Sequence, residues 1–186
     1  MADEDTRARI EKHVRRWAAN AHLRPAEVKA PGPGQESVWD YPRPPSLVRS
    51  AATVRVELAG ALIAETGRAI RVCETASPPV FYLPPGDVRS ARLEPARGGS
   101  LCEWKGQCTY WDVVVGDARA AGAAFAYAHP LAPFEALASY VGFYPGRVAC
   151  WVDAERVRPQ EGGFYAGWVT DRIVGPYKGA PGTGGW

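Results

Sequence analysis

The sequence predicts a mainly β domain, and three observations carry that expectation. Apolar and polar residues alternate at period two through Thr53-Val54-Arg55-Val56-Glu57-Leu58 and again through Ala69-Ile70-Arg71-Val72-Cys73-Glu74, the signature of half-buried strands. Turn formers are abundant: 20 Gly and 17 Pro among 186 residues, against the ~12% usual in folded chains, which disfavours a helical bundle. No helical patterns alternate with the strands, which argues against a parallel α/β sheet and for an antiparallel sheet or partly closed barrel. At 46% hydrophobic the chain is too apolar to stay disordered and long enough to bury a core.

In chain order, residues 3–21 read as an amphipathic helix. Ile10, Val14, Trp17 and Ala21 fall on one face, and Asp3, Glu4 and Asp5 sit at the positive end of the helix dipole. Arg7, Arg9, Lys12, Arg15 and Arg16 form either a solvated face or a phosphate-binding one. A Pro/Gly connector at 31–34 closes this unit, so residues 1–34 are assigned to an N-terminal helix and linker and 35–186 to the β domain. The run Val38-Trp39-Asp40-Tyr41-Pro42-Arg43-Pro44-Pro45 is held extended by its prolines and is expected to lie on the domain as an arm. Ala59-Gly60 is the expected turn into Ala61-Leu62-Ile63-Ala64. Val80-Phe81-Tyr82-Leu83, framed by Pro78-Pro79 and Pro84-Pro85, reads as an edge strand or one that ends at a site. Further strands are expected at 107–115, 123–127 and 148–152, and one short internal helix at 133–140, with Pro133 in its first turn. The tail 159–186, rich in Gly and aromatic residues, is expected to fold back over the sheet with Lys178 reaching inward. A phosphate loop is rejected there, because no helix follows to face the anion.

Composition narrows the function. Twenty-two Lys and Arg against 20 Asp and Glu give a charge of +2, no electrostatic reason to expect nucleic acid or a membrane surface. No run of 18 apolar residues predicts a membrane span. The opening Met1-Ala2-Asp3-Glu4-Asp5 is acidic, unlike a secretory leader, and four sparse cysteines do not make a disulfide framework. Reduced thiols in the cytoplasm are therefore expected. With no CxxC pair and with His13, His22 and His129 scattered, no metal and no cofactor is expected.

The densest chemistry is Cys102-Glu103-Trp104-Lys105-Gly106 followed by Tyr110-Trp111-Asp112. Entering a strand, Glu103 and Lys105 would share one face and Cys102 and Trp104 the other. The two charges then form either an acid/base pair tuned by burial or a plain ion pair at a sheet edge with Trp104 in the core. Trp104, Trp111, Trp151 and Trp168 either line a slot for a planar ligand or a cation or fill a core. Cys102 is either a thiol activated by Lys105 or a small buried hydrophobe.

Cys102-Glu103-Trp104-Lys105-Gly106 and Tyr110-Trp111-Asp112, with Trp39-Asp40-Tyr41-Pro42-Arg43-Pro44-Pro45, Arg71-Val72-Cys73-Glu74-Thr75, Pro78-Pro79-Val80-Phe81-Tyr82-Leu83-Pro84 and the tail from Gly162 to Trp186, resemble a bacterial family, number 427 of the domains of unknown function. Some of its members are labelled nucleotidyltransferase-like. The resemblance runs from about Val38 to Trp186 and implies a β-tent fold, two antiparallel sheets meeting at an angle. That fold is shared with the thalidomide-binding domain of cereblon, Mss4-like proteins and methionine-R-sulfoxide reductases. Relatives of the fold often hold zinc through CxxC pairs, which this chain lacks. Cys73 stands where the family suggests leucine, and Phe125 where tryptophan is common, so Cys73 is expected in the core. The metal-binding carboxylates and Gly-Ser loop that nucleotidyl transfer requires are not visible.

The resemblance also implies a pocket on the sheet. We therefore expect a small organic ligand, planar or polar, bound by Trp104, Tyr82, Trp111, Trp168 and Lys178. The expected chemistry is cofactor-free proton transfer of isomerase, dehydratase or hydrolase type. Glu103 or Glu74 would act as base or acid, Lys105 would stabilise developing negative charge, and Tyr82 or Tyr110 would orient it. The alternatives are a protein-interaction module that docks a partner through the N-terminal helix and proline-rich arm, and thiol redox chemistry at Cys102.

Overall fold

The computed structural model of the chain describes residues 24–186 and, ahead of them, Ala8, Glu11, Lys12 and Arg15. Those four apart, the helix expected over 3–21 lies outside the described residues. Fifteen strands follow: β1 (Glu36–Ser37), β2 (Ser46–Arg49), β3 (Val54–Leu58), β4 (Ala61–Thr66), β5 (Ile70–Cys73), β6 (Val80–Leu83), β7 (Leu93–Cys102), β8 (Gly106–Val115), β9 (Ala118–Ala126), β10 (Val141–Phe143), β11 (Ala149–Val152), β12 (Glu155–Arg156), β13 (Arg158–Pro159), β14 (Trp168–Val169) and β15 (Ile173–Val174). A seven-stranded sheet runs β2-β5-β6-β10-β9-β8-β7 and a four-stranded sheet β12-β11-β3-β4. Every pairing within these two sheets is antiparallel. Two short ladders, parallel β1–β15 and antiparallel β13–β14, tie the termini of the domain to it.

Period two explains the layering. On β3, Val54 and Val56 are fully buried while Arg55 and Glu57 point away, and the strand turns back into β4 through Ala59 and Gly60, both at positive φ as a tight hairpin requires. Between the two sheets, Val54, Val56, Ile63, Phe81, Leu83 and Phe143 belong to one core. The opposite face of the large sheet carries a second cluster that includes Val72, Tyr82, Trp104, Phe125 and Tyr127. Strand β6 feeds both: Phe81 and Leu83 enter the first, Tyr82 the second, as alternating side chains must. The second cluster is where the site forms.

Three expectations need correction. Strand β6 pairs with β5 on one side and β10 on the other, so it is interior and not an edge. Its flanking prolines stand just outside the paired residues and cost no ladder bond. The helix expected at 133–140 is a single 3-10 turn, Glu135–Leu137. Phe134 and Leu137, three apart, are the buried pair, and Ser139 at φ 64° turns the chain away before a second turn can form. The arm is not extended throughout: Val38–Asp40 forms a 3-10 turn capped by the Ser37 hydroxyl, which accepts from the Trp39 amide. It does lie on the domain, for Val38 is fully buried and Trp39 Nε1 donates to the Pro176 carbonyl at 2.9 Å. No helix among the described residues is long and apolar enough to cross a membrane.

Candidate functional site

The site grows from the strand ends on the second face of the large sheet. Val72 on β5 faces this side, and Glu74, two residues on and just past the strand, follows it. Tyr82 enters from β6, Cys108 and Tyr110 from alternate positions of β8, and Phe125 and Tyr127 from the end of β9. With the tail they enclose a cavity of about 220 Å³.

Glu103, Trp104 and Lys105 are not on a strand. They form the three-residue turn of the β7–β8 hairpin, closed where Cys102 pairs with Gly106. Gly106 takes φ 86°, and a Cβ there would stand 3.1 Å from Leu131 Cγ, so the left-handed, close-packed position suits glycine. The expected segregation of Glu103 and Lys105 to one face therefore fails. Instead the turn tucks both Trp104 and Lys105 inward, 6% and 8% exposed, and leaves Glu103 half-buried at the cavity wall.

The polar centre is a charge cluster. Glu74 Oε1 lies 3.3 Å from Lys178 Nζ and 3.4 Å from Arg43 Nε. Lys178 reaches it from the folded-back tail, which is pinned where the Lys178 amide donates to the Ala76 carbonyl at 2.8 Å and Gln160 Nε2 donates to the Lys178 carbonyl at 2.7 Å. Lys178 Nζ also stands 4.9 Å from the Tyr165 ring centre, and Lys105 Nζ 5.6 Å from that of Tyr127, within cation–π range. Ser100 Oγ and Tyr110 Oη share a hydrogen bond of 2.7 Å.

Electrostatics follow from burial and neighbours. Burial opposes ionisation of Glu74, but Lys178, Lys105 and Arg43 outweigh it and hold its pKa below the ordinary value, so it is a carboxylate at neutral pH. Burial likewise works against the Lys105 ammonium, but the polar groups of Tyr82, Cys102 and Glu74 around it favour the charged form, leaving the pKa raised. Burial raises Tyr82 and Tyr127, which are thus neutral hydroxyls. Cys108 is raised by burial too.

Of the residues the sequence singled out, Glu74, Glu103, Lys105, Tyr110, Trp104, Tyr82 and Lys178 all line this cavity. Trp111 and Trp168 do not. With Tyr110 on the site face, alternation sends Trp111 to the other, where it packs on the inter-sheet core. Trp168 is fully buried in that core, its ring tilted against Phe81 at 5.1 Å between centroids, its Nε1 donating to the Phe143 carbonyl at 3.0 Å. Sequence reasoning missed Arg43, Tyr127, Gln160 and Tyr165. For Tyr127 a signal existed, since it stands two residues after Phe125 on one strand face. Arg43 stood in the motif Trp39–Pro45, but nothing in the letters tied it to Glu74, 31 positions on.

A family model, NTP_transf_9, described as "Domain of unknown function (DUF427)", matches residues 46–154, more than half of the chain. That span includes Glu74, Tyr82, Glu103, Lys105 and Tyr127 but not Arg43, Gln160, Tyr165 or Lys178. No curated protein matches the chain.

Proposed function

The chain belongs to the DUF427 family, whose description assigns no activity, and from this cavity we propose that the protein is a small-molecule-binding domain. One observation carries the reading: a cavity of about 220 Å³ in which Lys105, Glu74 and Lys178 converge between the aromatic walls of Trp104, Tyr82, Tyr127 and Tyr165. Concave apolar walls with a few converging polar groups are what ligand sites are made of. Buried ion clusters are a poor source of stability against apolar packing of equal volume, which favours a functional use for this one. The domain is read as a β-tent, supported by two antiparallel sheets that share the inter-sheet core.

A thermal-shift screen of the full chain against a metabolite panel tests this. A ligand at 100 times its Kd stabilises by about 2.7 kcal/mol, or roughly 5–10 °C in a domain of this size. Hits must lose their shift in Trp104→Ala. Failure of every compound, or shifts indifferent to Trp104, overturns the assignment.

Proton transfer is the reaction this site would serve. Glu103 supports it as the base, because no cation among the described residues lies within ion-pair distance of its carboxylate, whereas Glu74 is already engaged by two. Lys105 would stabilise the negative charge that forms. Glu103→Gln and Lys105→Met should each abolish turnover of a bound substrate while the protein stays folded; unchanged turnover rejects the role.

A further inference from the structure

Two lysines, Lys105 and Lys178, and two carboxylates, Glu74 and Glu103, line the cavity, but they do not pair evenly. Arg43, which is not part of the lining, also reaches Glu74. Glu74 is engaged by Lys178 and Arg43, while no carboxylate among the described residues comes within 4 Å of Lys105 Nζ. That ammonium lies over the Tyr127 face, with Tyr82, the Cys102 thiol and, farther off, Glu74 as polar neighbours, partial substitutes for the water that burial removes. Beside it in the same turn, the Trp104 indole N–H is buried with no acceptor among the described residues. Two consecutive cavity-lining residues thus carry an ammonium with no carboxylate in ion-pair contact and an indole N–H with no acceptor among the described residues.

We propose that the ligand is an organic acid: a planar or aromatic monoanion whose carboxylate sits on Lys105 and takes the Trp104 N–H as a second donor. This rests on the small-molecule reading and narrows it to one chemical class. The ring is assigned to the cavity against the wall that Tyr82, Phe125 and Tyr127 build by packing on one another. The tyrosine cluster invites a cationic guest instead, as aromatic cages do, but here the faces of Tyr127 and Tyr165 are occupied by the protein's own ammonium groups. A second cation would add to their repulsion. A monoanion relieves it without the excess charge of a phosphate ester.

Isothermal titration of the full chain with benzoate, phenylacetate and indole-3-acetate, each beside its primary amide, and with phenethylamine, decides the matter. The acids should bind about 10- to 100-fold tighter than the amides, the difference expected of a hydrogen bond to a charged group, and the amine should not bind. Lys105→Met should bring the acids down to the amides. The comparison on the unaltered protein stands alone if that variant fails to fold. Amides binding as tightly as acids, or the amine binding best, overturns the anion assignment and leaves the pocket standing. No binding by any probe at millimolar concentration overturns both.

Discussion

Replacing Glu74 by Gln removes a negative charge that two buried cations share. Side-chain exposure is 16% for Glu74 and 7% for both Arg43 and Lys178, well below the level at which solvent screening dominates. Deleting one partner of such a cluster costs about 3–5 kcal/mol, because the remaining charge stays buried. Glutamine keeps one carbonyl acceptor, so the lower end, about 3 kcal/mol, is expected at pH 7. At roughly 2–4 °C per kcal/mol for a chain of this length, the melting temperature should fall by about 6–12 °C. The pH dependence gives an independent check. A carboxyl whose folded pKa is depressed contributes stability above its unfolded value, near ~4.3, and loses it as pH falls through the folded value. The gap between wild type and Glu74→Gln should therefore be full at pH 7, begin to shrink below about pH 4, and narrow further towards pH 3. Urea unfolding at both pH values measures it. A variant as stable as wild type at pH 7, or a penalty that is the same at pH 3, refutes the charge-cluster account.

Other perturbations reach other parts of the argument. Gly142→Ala on β10 would set a Cβ 2.4 Å from Phe125 Cζ, an overpacking cost of about 1–3 kcal/mol; urea denaturation showing no loss would mean the ring moves aside freely. Trp168→Phe should destabilise by about 1–3 kcal/mol through a small void and an orphaned Phe143 carbonyl while leaving ligand affinity intact, whereas Trp104→Phe should weaken binding; titration calorimetry on both separates the core tryptophan from the cavity one. Hydrogen bonds from Arg68 and Thr66 hold the Asp87 carboxyl at about 2, so carbon-detected NMR should find it titrating well below an ordinary aspartate, and Arg68→Gln should bring it back up. Among the thiols, half-buried Cys102 should alkylate before buried Cys73, which burial pushes up to about 11, and before Cys150; mass spectrometry showing the reverse order would contradict the burial described.

What the sequence disclosed and what it hid divide along the range of the interactions. Thr53 to Leu58 was legible because a strand buried on one face repeats at period two, and that period is written locally. The same period misled at Cys102-Glu103-Trp104-Lys105, where alternation also holds; only Gly106, the left-handed residue that closes the hairpin, marks it as a turn. The prolines around β6 suggested an edge, yet they interrupt nothing, since the paired residues lie between them. Trp104 and Trp168 are alike as letters and differ only in which side of a sheet they reach. Lys178 was traceable from the glycine-rich tail that had to fold somewhere, but Arg43 meets Glu74 only through the docking of an entire arm.

Glu74 is held from both directions along the chain, by an arginine that precedes the matched span 46–154 and by a lysine that follows it. A fragment trimmed to those bounds would keep most of the walls and forfeit both of the cationic hands that grip the floor. Work on this family that designs its expression limits from the recognisable stretch alone would thus purify a vessel with its fastening cut away, and silence in a binding assay on such a piece would say nothing about the whole.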